Sequence, residues 1–450
     1  MPFTAATGMA VLFALCAAVP GPGAPARGAD DSGNPPVRLT LEQALALAEE
    51  QSPELAEYRA LLRAGEAGEA LARASRMPDL DVSARASKLS DVPEYAVTQP
   101  DGSREVIFPN IPERYGAAID LRVPLYTGGR IRWERTAAEW RTAAAGGDLA
   151  AAAADLRLRV TDAYCRVVLA GEEEKVYAGA IEAFEAHIAD VEQRMRFGLA
   201  ARNDLLAVQV QRDRAHLARL EAARDRAVAA AALVRRLGLA PGSAIEVAPL
   251  PDSAGGDGAG LSPLIDEALA ARPERAALAA RVEAAKAATE RERAERLPVI
   301  SAGAGYEYSR PNMLIIPPVD EFNDTWDLSL NLTYRFWDGG KRRARIERAE
   351  REAEAVERRL ETFDRTVGEQ VTAAWHDLSA ARAAVPVSGT GLASAEENLK
   401  VAGDRYREGL LASSELLDAE VALLEAGLAC SAAAIRVRLA EARLERVLGR

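Results

Sequence analysis

Glu415 and Asp418 stand three positions apart in Ser413-Ser414-Glu415-Leu416-Leu417-Asp418-Ala419-Glu420, just after Arg405-Tyr406-Arg407-Glu408-Gly409. That spacing puts both carboxylates at the opening of a helix, where the positive helix end favours anions. Gly409 suits the left-handed residue that closes the preceding helix, and Ser413 or Ser414 can cap the next one. The run Arg194-Met195-Arg196-Phe197-Gly198-Leu199-Ala200-Ala201-Arg202-Asn203-Asp204-Leu205-Leu206 makes the same turn, with Gly198 lying 211 positions before Gly409. The chemistry open to Asn203, Asp204, Glu415 and Asp418 is electrostatic. At a helix start such side chains stabilise their own helices, the carboxylates by a few tenths to about 1 kcal/mol each.

No other residues are spaced for bond-making. His187, His216 and His376 are scattered through helical patterns without ligand spacing, so packing or surface roles are expected and no metal site. There is no HExxH, CxxC or P-loop and no Ser/His/Asp or Cys/His arrangement, so neither enzyme activity nor a cofactor is expected. The net charge of -12 argues against a nucleic-acid partner, which needs a basic face. Cys165 and Cys430 lie at different distances from their turns, a mismatch of roughly 18 Å at 1.5 Å per residue. Two free thiols are expected.

The elements that position these residues read as long helices, since 49% of residues are hydrophobic but only 5% aromatic. Residues 1–26 carry no charged side chain and include an apolar run from Met9 to Val19, the pattern of a secretory signal; Cys16 within it raises the question of lipidation. A first repeat follows over 27–238. It has strands at about 80–90 and 113–126, joined by a polar loop from about Ser90 to Pro112, then a long helix at about 130–197 and a return helix at about 200–238. Tyr177, Ile181, Phe184, Ile188, Val191 and Met195 step by four and three, as in a coiled-coil seam. Residues 239–263, rich in Pro and Gly, read as a linker. The second repeat, 264–450, has strands at about 299–310 and 324–337, a long helix at about 341–408 and a return helix at about 413–449. Val385-Pro386-Val387-Ser388-Gly389-Thr390-Gly391 is expected to interrupt that long helix as a kink or bulge near 385–391, because proline in a helix interior costs about 3 kcal/mol.

Each strand pair has an apolar and a polar side. Trp326, Leu328, Leu330, Leu332, Tyr334 and Phe336 alternate with Asp327, Ser329, Asn331, Thr333 and Arg335. No stretch approaches 18 uninterrupted apolar residues, so no membrane-spanning helix is expected. Strands of about ten residues with apolar outer faces and aromatic rims fit a bilayer-facing β-barrel; a soluble sheet with its apolar face packed on helices is the alternative, and the two matched copies favour the barrel. Four strands cannot close, and open edges are not tolerated in lipid. Two, three or four copies would give eight, twelve or sixteen strands, and symmetry alone does not choose.

The duplicated plan, the elbows Pro124-Leu125-Tyr126-Thr127-Gly128-Gly129-Arg130 and Phe336-Trp337-Asp338-Gly339-Gly340-Lys341, and the two tips resemble the TolC-type outer-membrane efflux proteins. The resemblance implies a mixed α/β membrane protein that is a homotrimer. Its twelve-stranded barrel would sit in outer-membrane lipid and continue into the periplasm as a tunnel of twelve packed helices. A periplasmic adaptor and an inner-membrane pump would dock at the tips. Glu415 and Asp418 match carboxylates that line the constriction in that family, and Tyr406 matches an aromatic that reaches a carboxylate equivalent to Asp204. Leu411 stands where a basic residue helps lock the closed state, so a salt-bridge latch is not expected there. Tyr406 is equally readable as a core aromatic. The function that follows is a passive exit duct; a periplasmic coiled-coil scaffold or adaptor without a pore is the alternative in another class, and protein secretion or metal-cation export the alternative cargo.

Overall fold

The computed structural model describes residues 37–250 and 260–450. The signal segment, Cys16 and the glycine-rich 251–259 lie outside the described residues. In chain order the first half is β1 (Val37–Leu39), α1 (Leu41–Gln51), α2 (Pro53–Ala74), β2 (Asp79–Lys88), β3 (Tyr95–Thr98), β4 (Arg104–Phe108), β5 (Glu113–Tyr126), α3 (Arg130–Arg196) and α4 (Arg202–Arg236). After β6 (Ile245–Val247) come α5 (Leu261–Ala271), α6 (Pro273–Ala294), β7 (Val299–Arg310), β8 (Asn323–Thr333), α7 (Lys341–Arg407) and α8 (Ser413–Leu448).

Turn chemistry sets these boundaries. Pro53 and Pro273 occupy the first position of α2 and α6, where a missing N–H costs nothing. α3 and α7, each 67 residues and therefore about 100 Å long, start from Gly129 and Gly340 in left-handed conformation (φ 88° and 83°). Alanines along α3, including Ala137, Ala144, Ala152 and Ala163, are buried and let neighbouring helices approach closely. α4 returns along α3 and α8 along α7, while α6 lies against both long helices. Among the described residues no helix is long and apolar enough to cross a membrane.

The four main strands form one antiparallel sheet in the order β2-β5-β7-β8. Its register is continuous across both halves: Val82, Ile119, Tyr306 and Trp326 share one level and Leu80, Leu121, Ala304 and Leu328 the next, all on one face. That face is bare, with Trp326 71% and Leu328 75% exposed. Asp81, Asp120, Gly305 and Asp327 share a level on the opposite face. A Cβ on Gly305 would lie 2.5 Å from an Asp327 oxygen and 3.6 Å from an Asp120 oxygen, so the glycine makes room for carboxylates that lean across the sheet. β2 and β8 are its edges.

Several expectations are corrected. The helix through Pro386 is unbroken. Pro386 and Val387 are exposed there, so the ring lies on an open face of the helix. The Ser388 and Thr390 hydroxyls also donate to the Val385 and Pro386 carbonyls. The last strand stops at Thr333 instead of continuing to 337, because its in-chain partner β7 begins at Val299, which pairs with Thr333. The loop from Ser90 to Pro112 contains the β3–β4 hairpin, closed by Gln99 N–H to Ser103 O at 2.8 Å with Gly102 at φ 82°. The 239–263 linker contains β6, paired in parallel with β1. The buried Tyr164 hydroxyl fixes this small sheet, lying 3.0 Å from Leu39 O and 2.7 Å from Ala248 O.

Candidate functional site

Both hairpin tips use the same backbone device. Gly198 (φ 73°) and Gly409 (φ 78°) follow their helices; Leu199 N–H and Leu410 N–H reach back to Arg194 O at 2.9 Å and Arg405 O at 2.8 Å. These bonds satisfy carbonyls that a helix end otherwise leaves open. The next helices are not capped by serine. Ala201 and Ala412 hold the cap positions, and Asp204 and Glu415 reach back to accept their N–H groups, both at 3.1 Å. Asp204 and Glu415 therefore have equivalent local roles. Asn203, Glu415 and Asp418 are exposed, and Asp418 has no partner among the described residues.

Tyr406 is buried and does not face Asp204. Arg194 lies over its ring at 4.0 Å, donates to the Tyr406 carbonyl at 2.8 Å, and is held by Asp190 at 2.8 Å. The phenol hydroxyl has no partner of hydrogen-bonding geometry. Burial pushes its pKa up to about 12, with the Asp190 carboxylate adding to the rise. Asp204, the carboxylate expected beside Tyr406, accepts instead from the Ala201 N–H at its own helix end. Leu411 packs with Tyr406, Ala402, Leu416 and Ala419, so an apolar contact occupies the position expected to lack a basic latch.

A buried polar junction was not anticipated. His187 on α3 places Nδ1 2.9 Å from a Glu420 oxygen and Nε2 3.0 Å from Ser413 Oγ, both on α8. Its ring meets Tyr406 edge-on at 5.5 Å between centroids. Ser413 engages this histidine instead of capping α8. A signal was available in the sequence: His187 falls three after Phe184 and four before Val191, on the apolar seam, and Glu420 falls four after buried Leu416. His216 and His376 are exposed, and no cluster of metal-ligating side chains occurs among the described residues. The His187 junction ties α3 of the first hairpin to α8 of the second near the start of α8.

Comparisons with known proteins agree with this architecture. The family model described as outer membrane efflux protein matches residues 44–239 and 264–450. Protein CyaE of Bordetella pertussis (strain Tohama I) is 30% identical over 230 residues, which is 51% of this chain and 48% of the relative; the match spans about half of that protein's length. A membrane protein from Pseudomonas aeruginosa superposes with a TM-score of 0.78 at 23% identity, covering 91% of this chain and 93% of the other. The outer membrane protein VceC from Vibrio cholerae does so with a TM-score of 0.77 at 20% identity, covering 91% and 96%. At these identities the two structures establish the shared fold.

Proposed function

The chain belongs to the outer membrane efflux protein family, and from that premise we propose that three copies form a passive exit duct. This is an outer-membrane channel family, and the protein is not an enzyme. In the proposed assembly each chain contributes its four strands to a twelve-stranded barrel, and α3, α4, α7 and α8 of the three chains enclose a water-filled tunnel in the periplasm. An adaptor and an inner-membrane pump engaging the tips would supply the energy.

The observation that carries this reading is the sheet itself. It has one bare apolar face, one polar face and two edges without an in-chain partner. In lipid an open edge leaves N–H and C=O groups unsatisfied at several kcal/mol each, and closure by further copies removes every edge. The polar face, with Asp81, Asp120 and Asp327 at one level, then lines the lumen. At the other end of the tunnel the exposed Glu415 and Asp418 of three chains converge on the symmetry axis as the constriction, and Tyr406, Leu411 and the His187–Glu420 junction hold the hairpins around it. Detergent extraction tests closure: a trimer that collapses to monomer only on heating supports the shared barrel, and a monomer soluble without detergent overturns it.

A further inference from the structure

The two ends of the sheet differ in charge. At the loop end, Asp91, Glu94, Asp101, Glu105, Asp320 and Glu321 dominate. At the helix end the sign reverses. Arg76 precedes β2, Arg130 and Arg132 open α3, and Lys341 and Arg343 open α7; all five are exposed, and none has a carboxylate partner among the described residues. At α3 and α7 this placement runs against local preference. α1, α2, α4, α6 and α8 each carry an acid in the first turn, whereas α3, α5 and α7 carry none there; α3 and α7 present bases instead, with Asp338 just ahead of α7 accepting from the Gly340 and Arg342 N–H groups. Bases in that position gain nothing from their own helices.

Aromatic side chains lie between these bases and the bare sheet face. Phe336 is 84% and Trp337 81% exposed; Tyr126 and Tyr334 are exposed as well, and the Arg132 guanidinium lies 5.3 Å from the Trp133 ring. The order along the strand axis is apolar face, aromatic rim, unpaired cations. A bilayer leaflet has the complementary order of hydrocarbon, interface and phosphate.

We propose that this collar holds the headgroups of anionic phospholipids in the leaflet nearest the helices. The proposal rests on the barrel reading above. Each basic side chain close to an anionic surface strengthens binding roughly fivefold, so the five acting together give a marked preference over zwitterionic lipid.

The test uses the purified full-length protein, delipidated in detergent and offered phosphatidylglycerol or phosphatidylcholine, with bound lipid counted by native mass spectrometry. The wild type should retain phosphatidylglycerol at least about fivefold over phosphatidylcholine, and added salt should weaken that preference. Excess inorganic phosphate should not displace the lipid. The combined variant Arg76→Gln, Arg130→Gln, Arg132→Gln, Lys341→Gln and Arg343→Gln should fall to the phosphatidylcholine level, while Arg359→Gln with Arg365→Gln on the helix surface should not. Equal retention of the two lipids by the wild type, displacement by phosphate, or full retention by the combined variant overturns the collar. Incorporation into phosphatidylcholine vesicles separates the two readings. A wild type that inserts there without a lipid preference defeats only the collar, whereas one that never inserts defeats the barrel and the collar together.

Discussion

His187 and Glu420, 233 residues apart in sequence, meet in a dry seam with imidazole Nδ1 2.9 Å from the carboxylate. Their side chains are 1% and 8% exposed, so neither can exchange its partner for water. His187→Ala should cost about 1–3 kcal/mol, because Glu420 and Ser413 are left unsatisfied in a buried site. Joint replacement of both by Leu should recover much of that loss. Denaturant titration in detergent reads both effects, and a double variant as unstable as the single one would contradict the pairing.

The two thiols should differ sharply in reactivity. Cys165 is buried, and burial pushes its pKa up to about 11, while Cys430 is half-buried. At pH 8 only about one Cys165 in a thousand is the nucleophilic thiolate. Mass-spectrometric mapping after brief alkylation of native protein should find Cys430 modified and Cys165 intact, with Cys165 labelled once the chain unfolds. Equal labelling in the native state would contradict this packing.

Tyr406 should make the tips sensitive to alkali. Its folded-state pKa of about 12 lies above the ordinary value near 10, so burying the neutral phenol stabilises the fold at all pH below about 10. That contribution is lost as pH rises through 12. Tyr406→Phe has no proton to lose and should show a smaller drop in stability between pH 10 and 12 than the wild type, measured by denaturant titration. Parallel curves would place the alkaline loss elsewhere.

Much of this arrangement is legible from residue types alone. The glycine pairs Gly128–Gly129 and Gly339–Gly340 announce the strand-to-helix elbows, and Gly198 and Gly409 announce the tips, because only glycine takes those positive φ angles without strain. What the sequence conceals depends on context. Pro386 reads as a break, yet its ring lies on an exposed helix face and α7 runs on through it. Pro100-Asp101-Gly102 is a turn signal, but strands of four and five residues on either side are too short for alternation to stand out. The His187 junction joins α3 to α8 across the chain, and Ser413 was readable only as a cap until that contact was known.

In the proposed duct Glu415 would have two separable roles. Glu415→Gln keeps an oxygen for the Ala412 N–H while removing the charge, and Glu415→Ala removes both, costing about 1 kcal/mol of helix stability. Combined with Asp418→Asn, the Gln variant should raise conductance and weaken block by divalent cations in planar bilayers, with stability unchanged. Unchanged block would remove these carboxylates from the constriction.

The claim on which all of this depends is that separate copies close one barrel around water. Single-channel recording from purified protein in a planar bilayer tests it most directly. Heat-modifiable trimers should insert and give discrete, cation-preferring steps that disappear after the trimer is heated apart. Monomeric protein, or trimer that enters the membrane and carries no ions even when the tip carboxylates are neutralised, would contradict it.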